Sequence, residues 1–140
     1  MKLLLAVDGS EYTRKMLDYL ISHKGMFDPA HEYTLLNAQP PLPPHARSAV
    51  GASVSHHYHE EAAHHVLEPA LAALKATGLK VNSDWKLGPA GETIARYAEE
   101  GKYDMVIMGT HGHGAFARLV MGSVTTQVLA HCGVPVLLVR

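Results

Sequence analysis

Apolar positions along the chain follow two alternating rhythms. The runs Lys2-Leu-Leu-Leu-Ala-Val7, Met105–Met108 and Val136–Val139 are short and nearly unbroken, the pattern of strands buried on both faces. Between such runs, apolar residues recur at spacings of three and four, which marks helices with one buried side. Asp8-Gly9-Ser10-Glu11 supplies a turn residue, a flexible joint, a helix N-cap and a first-turn acid. The helix that follows runs to about Lys24, with Met16, Leu17, Leu20 and Ile21 on its apolar side, and Gly25 is its stop. Glu32–Gln39 is rich in β-forming residues and predicts a second strand.

From Pro40 to Ser55 the pattern lapses into Pro40, Pro41, Pro43 and Pro44, then small residues and Gly51. The expectation is an exposed connection, long enough to serve as a lid. A helical pattern resumes from about His56 to Thr77, with Ala63, Val66, Leu67, Ala70, Leu71 and Leu74 on one face, and Pro69 is expected to kink or divide it. After Gly78, the stretch Leu79–Leu87 alternates in part, as a strand near a sheet edge does. Gly88-Pro89-Ala90-Gly91-Glu92 opens another helix with Ile94, Tyr97 and Ala98 on one face. The strand Asp104–Met108 leads into Gly109, Gly112 and Gly114, then a last helix from about Val124 to His131 and the closing strand. No internal repeat is present.

Strands alternating with helices in this way give an α/β, doubly wound three-layer sandwich with a parallel sheet. Ligands in such folds bind beyond the carboxyl ends of the strands, at the switch point. Asp8, Asn37-Ala38 and Gly109 end strands one, two and four, and these ends are expected to converge. A loop of closely spaced glycines bends through φ > 0 and turns amide N–H groups toward one point, and the first N–H groups of the helix after Gly122-Ser123 lack intrahelical partners. Two sets of free amides facing one space suit an anion, phosphate above all.

Other phosphate sites do not fit. No Gly-Lys-Ser or Gly-Lys-Thr occurs, which removes the P-loop, and a dinucleotide fingerprint would follow the first strand rather than the fourth. Gly109-x-x-Gly112, nine residues, then Gly122-Ser123, together with the strand into Asp8-Gly9-Ser10 and the close Val134-Pro135-Val136-Leu137-Leu138-Val139, resembles the universal stress protein family in its nucleotide-binding branch. The likeness runs the whole chain, residues 1–140, as one domain. It implies a five-stranded sheet in order 3-2-1-4-5, of the adenine nucleotide alpha hydrolase-like kind. It also implies ATP or AMP, with Mg²⁺ or Mn²⁺ held through the phosphates, and a homodimer. By position, Asp8 and the backbone of Ala38 would lie at the adenine and ribose end. Gly109, His111 and Gly112 would line the ribose and phosphates, and Gly122, Ser123 and Val124 would donate to the phosphates.

Composition narrows the partners. With 140 residues, twelve basic and thirteen acidic, the net charge of −1 gives no electrostatic case for nucleic acid or an anionic membrane. The opening apolar run is too short for a signal peptide or a span, so a cytoplasmic protein is expected. The lone Cys132 reads as a small buried hydrophobe. The apolar Val136–Val139 edge favours pairing with another strand, hence a dimer. Of eleven histidines, five lie between His56 and His65, where His57 with Glu61 and Glu60 with His64 share helix faces. A solvated surface is the commoner meaning of that cluster than a metal site. No paired carboxylates and no nucleophile with a base beside it are evident, so the reading is a nucleotide-binding stress-response or signalling module rather than an enzyme. The rivals are a slow ATPase or nucleotidyl transferase, and an interaction module that leaves the glycine loop empty.

Overall fold

The structure is a computed structural model that describes residues 1–113 and 121–140. Its elements are β1 (Lys2–Ala6), α1 (Glu11–Ser22), β2 (Glu32–Gln39), α2 (Pro44–Val50), α3 (Ala52–Lys75), β3 (Val81–Leu87), α4 (Ala90–Glu100), β4 (Met105–Gly109), α5 (Ser123–His131) and β5 (Val136–Val139). The five strands form one parallel sheet in the order β3-β2-β1-β4-β5. The expected α/β architecture and strand order are thus observed.

Alternation along β1 explains the two layers around the sheet. Leu3 and Leu5 enter a core beneath α1 and α3 with Met16, Leu20, Leu67 and Leu74, while Leu4 and Ala6 enter a second core with Ile94, Ala98 and Val128 of α4 and α5. Leu3, Leu4 and Leu5 are all 0% exposed, and burying each leucine contributes about 1.5–3 kcal/mol. Cys132 packs at the margin of the second core.

At the other end of the sheet from the carboxyl ends of the strands, the Tyr33 hydroxyl donates to the Asp28 backbone oxygen. Burial, reinforced by the Asp28 charge, pushes that hydroxyl up to about 12. No helix among the described residues is long and apolar enough to cross a membrane.

Residues 40–55 differ from expectation. They carry the exposed helix α2 and the first turn of α3, separated by Gly51 at φ 81°. Clustered prolines signal a loop, but Pro44 occupies the first helical position, where its fixed φ is already helical and its missing N–H costs nothing. Helix α3 is not divided either. It runs as one helix of 24 residues through Pro69, which is exposed. Burial of Ala63, Leu67, Ala70 and Leu74 on the opposite side outweighs the backbone bond that proline forfeits. Replacing Pro69 with Ala is therefore expected to stabilise the protein by about 1–3 kcal/mol. Urea unfolding measures it, and an unchanged midpoint would show that the helix is already relaxed around the ring.

Candidate functional site

The carboxyl ends of β1 and β4 lie side by side at the centre of the sheet, where the chain turns to opposite edges after β1 and after β4. Past β1, Asp8 is held by a local network. Its Oδ1 accepts from the Ser10 N–H at 2.8 Å and from the Thr13 hydroxyl at 2.9 Å, and its own N–H donates to Thr13 Oγ1 at 3.0 Å. Ser10 caps α1 through the Thr13 N–H. Gly9, between them, has φ 79°, a turn that a side chain would strain.

Past β4, the backbone is clamped on three sides. The Thr110 N–H donates to the Val139 oxygen at 3.0 Å, the Gly122 N–H donates to the Thr110 oxygen at 2.7 Å, and the Thr125 hydroxyl reaches the oxygens of Gly109 and Thr110. His111 lies against the Tyr12 ring of α1 with centroids 4.8 Å apart, and its Nδ1 meets Thr110 Oγ1 at 2.9 Å. The His113 Nε2 reaches back across the gap to the Asp8 backbone oxygen at 2.7 Å. Gly114 lies outside the described residues.

The glycines work differently from the expectation. Gly109 and Gly112 do not take positive φ, and Gly122 has φ −76°. What they allow is close approach. A Cβ on Gly109 would lie 2.6 Å from the Tyr12 Cβ, one on Gly112 would lie 2.5 Å from Asp8 Oδ2, and one on Gly122 would lie 3.2 Å from the His111 Cα. Helix α5 starts at Ser123, directly after Gly122, and no side chain among the described residues caps it. Ser123, Val124 and Thr125 of its first turn line the cleft, and the first amides of a helix have no partner within it.

Asp8, Ala38, Gly109, His111, Gly112, Gly122, Ser123 and Val124 all line one cleft of about 460 Å³, within the range of small-molecule sites. Sequence reasoning missed Thr13, Thr125, and the wall formed by Ala90 and Ile94 of α4. Thr13 sits one turn into α1 from Asp8, a spacing that signals an interaction once Asp8 is taken as a turn residue. The α4 wall had no local signal. It arises from where α4 packs over the sheet.

The histidine cluster resolves into two populations. His56 faces Glu60 at 3.5 Å and His57 faces Glu61 at 3.1 Å on the exposed side of α3. His59 instead is 2% exposed, lies by Trp85 of β3, and has its Nδ1 3.5 Å from Gln39 Oε1. The solvated-surface expectation therefore fails for His59, because Ala63, Leu67, Ala70 and Leu74 continue its side of the helix into the core. Among the described residues, no three metal-ligating side chains converge.

A doubly wound parallel sheet with a cleft at its switch point, bordered by closely packed glycine backbone and the start of α5, defines the class as an open-sheet α/β domain. Residues 1–140 match the sequence profile of the universal stress protein family, and the chain belongs to that family. It is 34% identical over 140 residues to universal stress protein Slr1230 of Synechocystis, covering 99% of this chain and 42% of that relative, so it spans less than half of that protein's length. It is 32% identical over 143 residues to a Thermus aquaticus universal stress protein, encoded in the QAH/OAS sulfhydrylase 3′ region, covering 99% and 97% of the two chains. Protein MJ0577 of Methanocaldococcus jannaschii superposes with a TM-score of 0.78 at 27% identity, covering 99% of this chain and 94% of that one. A universal stress protein family protein of Arabidopsis thaliana, solved with AMP bound, shares the fold with a TM-score of 0.69 at 15% identity over 99% and 90% of the chains.

Thr13→Val is expected to destabilise the folded state by about 1–3 kcal/mol, because the Asp8 N–H and one carboxylate oxygen both lose their partner. Chemical denaturation monitored by circular dichroism checks this. A midpoint equal to the native one would show water replacing the hydroxyl.

Proposed function

We propose that this chain binds an adenine nucleotide, ATP or AMP, in the cleft between β1 and β4 and acts as a cytoplasmic, nucleotide-dependent stress-response or signalling module. The observation that carries the reading is the meeting of the Gly112 and Gly122 backbone with the uncapped start of α5 in one cleft. Amides that lack side-chain cover form an anion site without any cationic side chain. The AMP complex of the Arabidopsis protein supports adenine nucleotide as the ligand class for this fold. On this reading Asp8 and the Ala38 backbone face the adenine and ribose. His111 and Gly112 border the phosphates, while Gly122, Ser123 and Val124 donate to them. Mg²⁺ or Mn²⁺ comes with the phosphates rather than from a protein cage.

The reading is of a holder rather than a dedicated enzyme. Asp8 is the one carboxylate among the described lining residues, and its Oδ1 is committed to Ser10 and Thr13. No second carboxylate stands with it among those residues to complete an acid–base pair. β5 occupies one edge of the sheet with Val136, Leu137 and Leu138 half-buried, which favours a homodimer through paired β5 strands.

Mass spectrometry of the nucleotide released on denaturing the purified protein, followed by calorimetry with ATP and Mg²⁺, tests the site. Bound adenine nucleotide near one per chain is expected, and Gly122→Val is expected to weaken binding at least about tenfold by pushing the His111 backbone into the phosphate space. No release and no binding at millimolar ATP would sink the nucleotide reading. Light scattering on a sizing column is expected to return twice the chain mass of 15.2 kDa, falling to a single chain for Leu138→Arg. A native monomer would refute the β5 dimer.

A further inference from the structure

The described residues lining the cleft include no lysine and no arginine. The titratable groups among those described residues are Asp8, His111 and His113. His113 holds a defined orientation, because a backbone carbonyl can only accept. The 2.7 Å contact to the Asp8 oxygen therefore requires the hydrogen to sit on Nε2. In the neutral ring Nδ1 is then a bare lone pair, which repels a phosphate oxygen. A second proton turns Nδ1 into a donor and gives the ring a full positive charge without breaking the bond to Asp8.

We propose that His113 is a protonation-gated phosphate contact, so that nucleotide affinity rises as pH falls through the imidazole range. The inference rests on the nucleotide reading of this cleft and assigns its regulation. The sign follows from linkage. The bound anion favours the charged ring, so the gain in affinity is present at low pH and is lost as pH rises and the ring sheds its proton.

Other groups around the two imidazoles constrain the effect. The Asp8 carboxylate lies at the end of β1, with Oδ2 against Gly112. From α1, Tyr12 packs on His111, and the Lys15 ammonium sits over the Tyr12 ring at 4.8 Å while pairing with Glu11 at 3.0 Å. From α3, Val66 closes on Gly9 beside His113, and α5 contributes Ser123, Val124 and Thr125. His111 is a second imidazole lining the same cleft, and a change confined to His113 separates the two.

Calorimetric titration of the full chain with Mg²⁺ and ATP from about pH 8 to about pH 6 tests the proposal, with adenosine as the ligand lacking phosphate. His113→Gln keeps a donor where Nε2 sits and removes the titrating nitrogen, whereas His113→Lys carries a charge throughout the range. Across this window the native protein is expected to gain about three- to tenfold in ATP affinity relative to His113→Gln. Lysine should leave a flatter pH profile than the native protein, and adenosine should show no difference between native and His113→Gln. The comparison also cancels the titration of ATP itself. Equal pH slopes for native protein and His113→Gln would overturn the gating while leaving the nucleotide site standing. Failure of ATP to bind the native protein at every pH would remove the site and the gating together.

Discussion

Close approach of bare backbone is the constraint on which the centre of this molecule depends. Gly109 lets α1 settle against the end of β4 through Tyr12, Gly112 lets the loop pass the Asp8 carboxylate, and Gly122 brings the start of α5 against His111. A methyl group at any of these places would move one wall of the cleft, because protein interiors have little free volume to absorb it. The glycines are therefore spacing devices. Among the described residues, left-handed backbone lies elsewhere, notably at Gly9 next to Asp8.

Around that contact the fold supplies rigidity. β1 is buried on both faces and paired on both sides, so the position of Asp8 follows from two cores and two ladders at once. β4 is tied to β5 and, through the Thr110 N–H and Val139 oxygen, remains tied one residue beyond its end. Asp8 and Thr110 are thus each placed by neighbouring strands on either side.

Histidine plays separate parts according to depth. On the outer side of α3 it pairs with glutamate one turn away, at His57 and Glu61. At His59 it is enclosed between α3 and the edge strand β3, and its Nε2 has no hydrogen-bond partner among the described residues. Beside the cleft, His113 ties the glycine loop to the end of β1. One residue type at neighbouring positions of a helix meets water or core according to a rotation of about 100° per residue.

Much of this architecture was legible in the chain. Unbroken apolar runs marked β1, β4 and β5, helical spacing marked α1, α3 and α4, and glycines after the fourth strand marked one wall of the cleft. These are local signals, carried by residues whose burial follows from period alone. The helices at 44–50 and 52–75 were misread at their start, because proline at a helix's first position and proline in a loop look alike without neighbours. Sequence by itself determined the elements, their order and the residues at the strand ends. Only the tertiary structure decided that Thr13, Ala90 and Ile94 share the cleft, that His59 is buried, and that the glycines serve proximity rather than positive φ. Each of those depends on contacts between segments distant in sequence, and a one-dimensional pattern contains no distances.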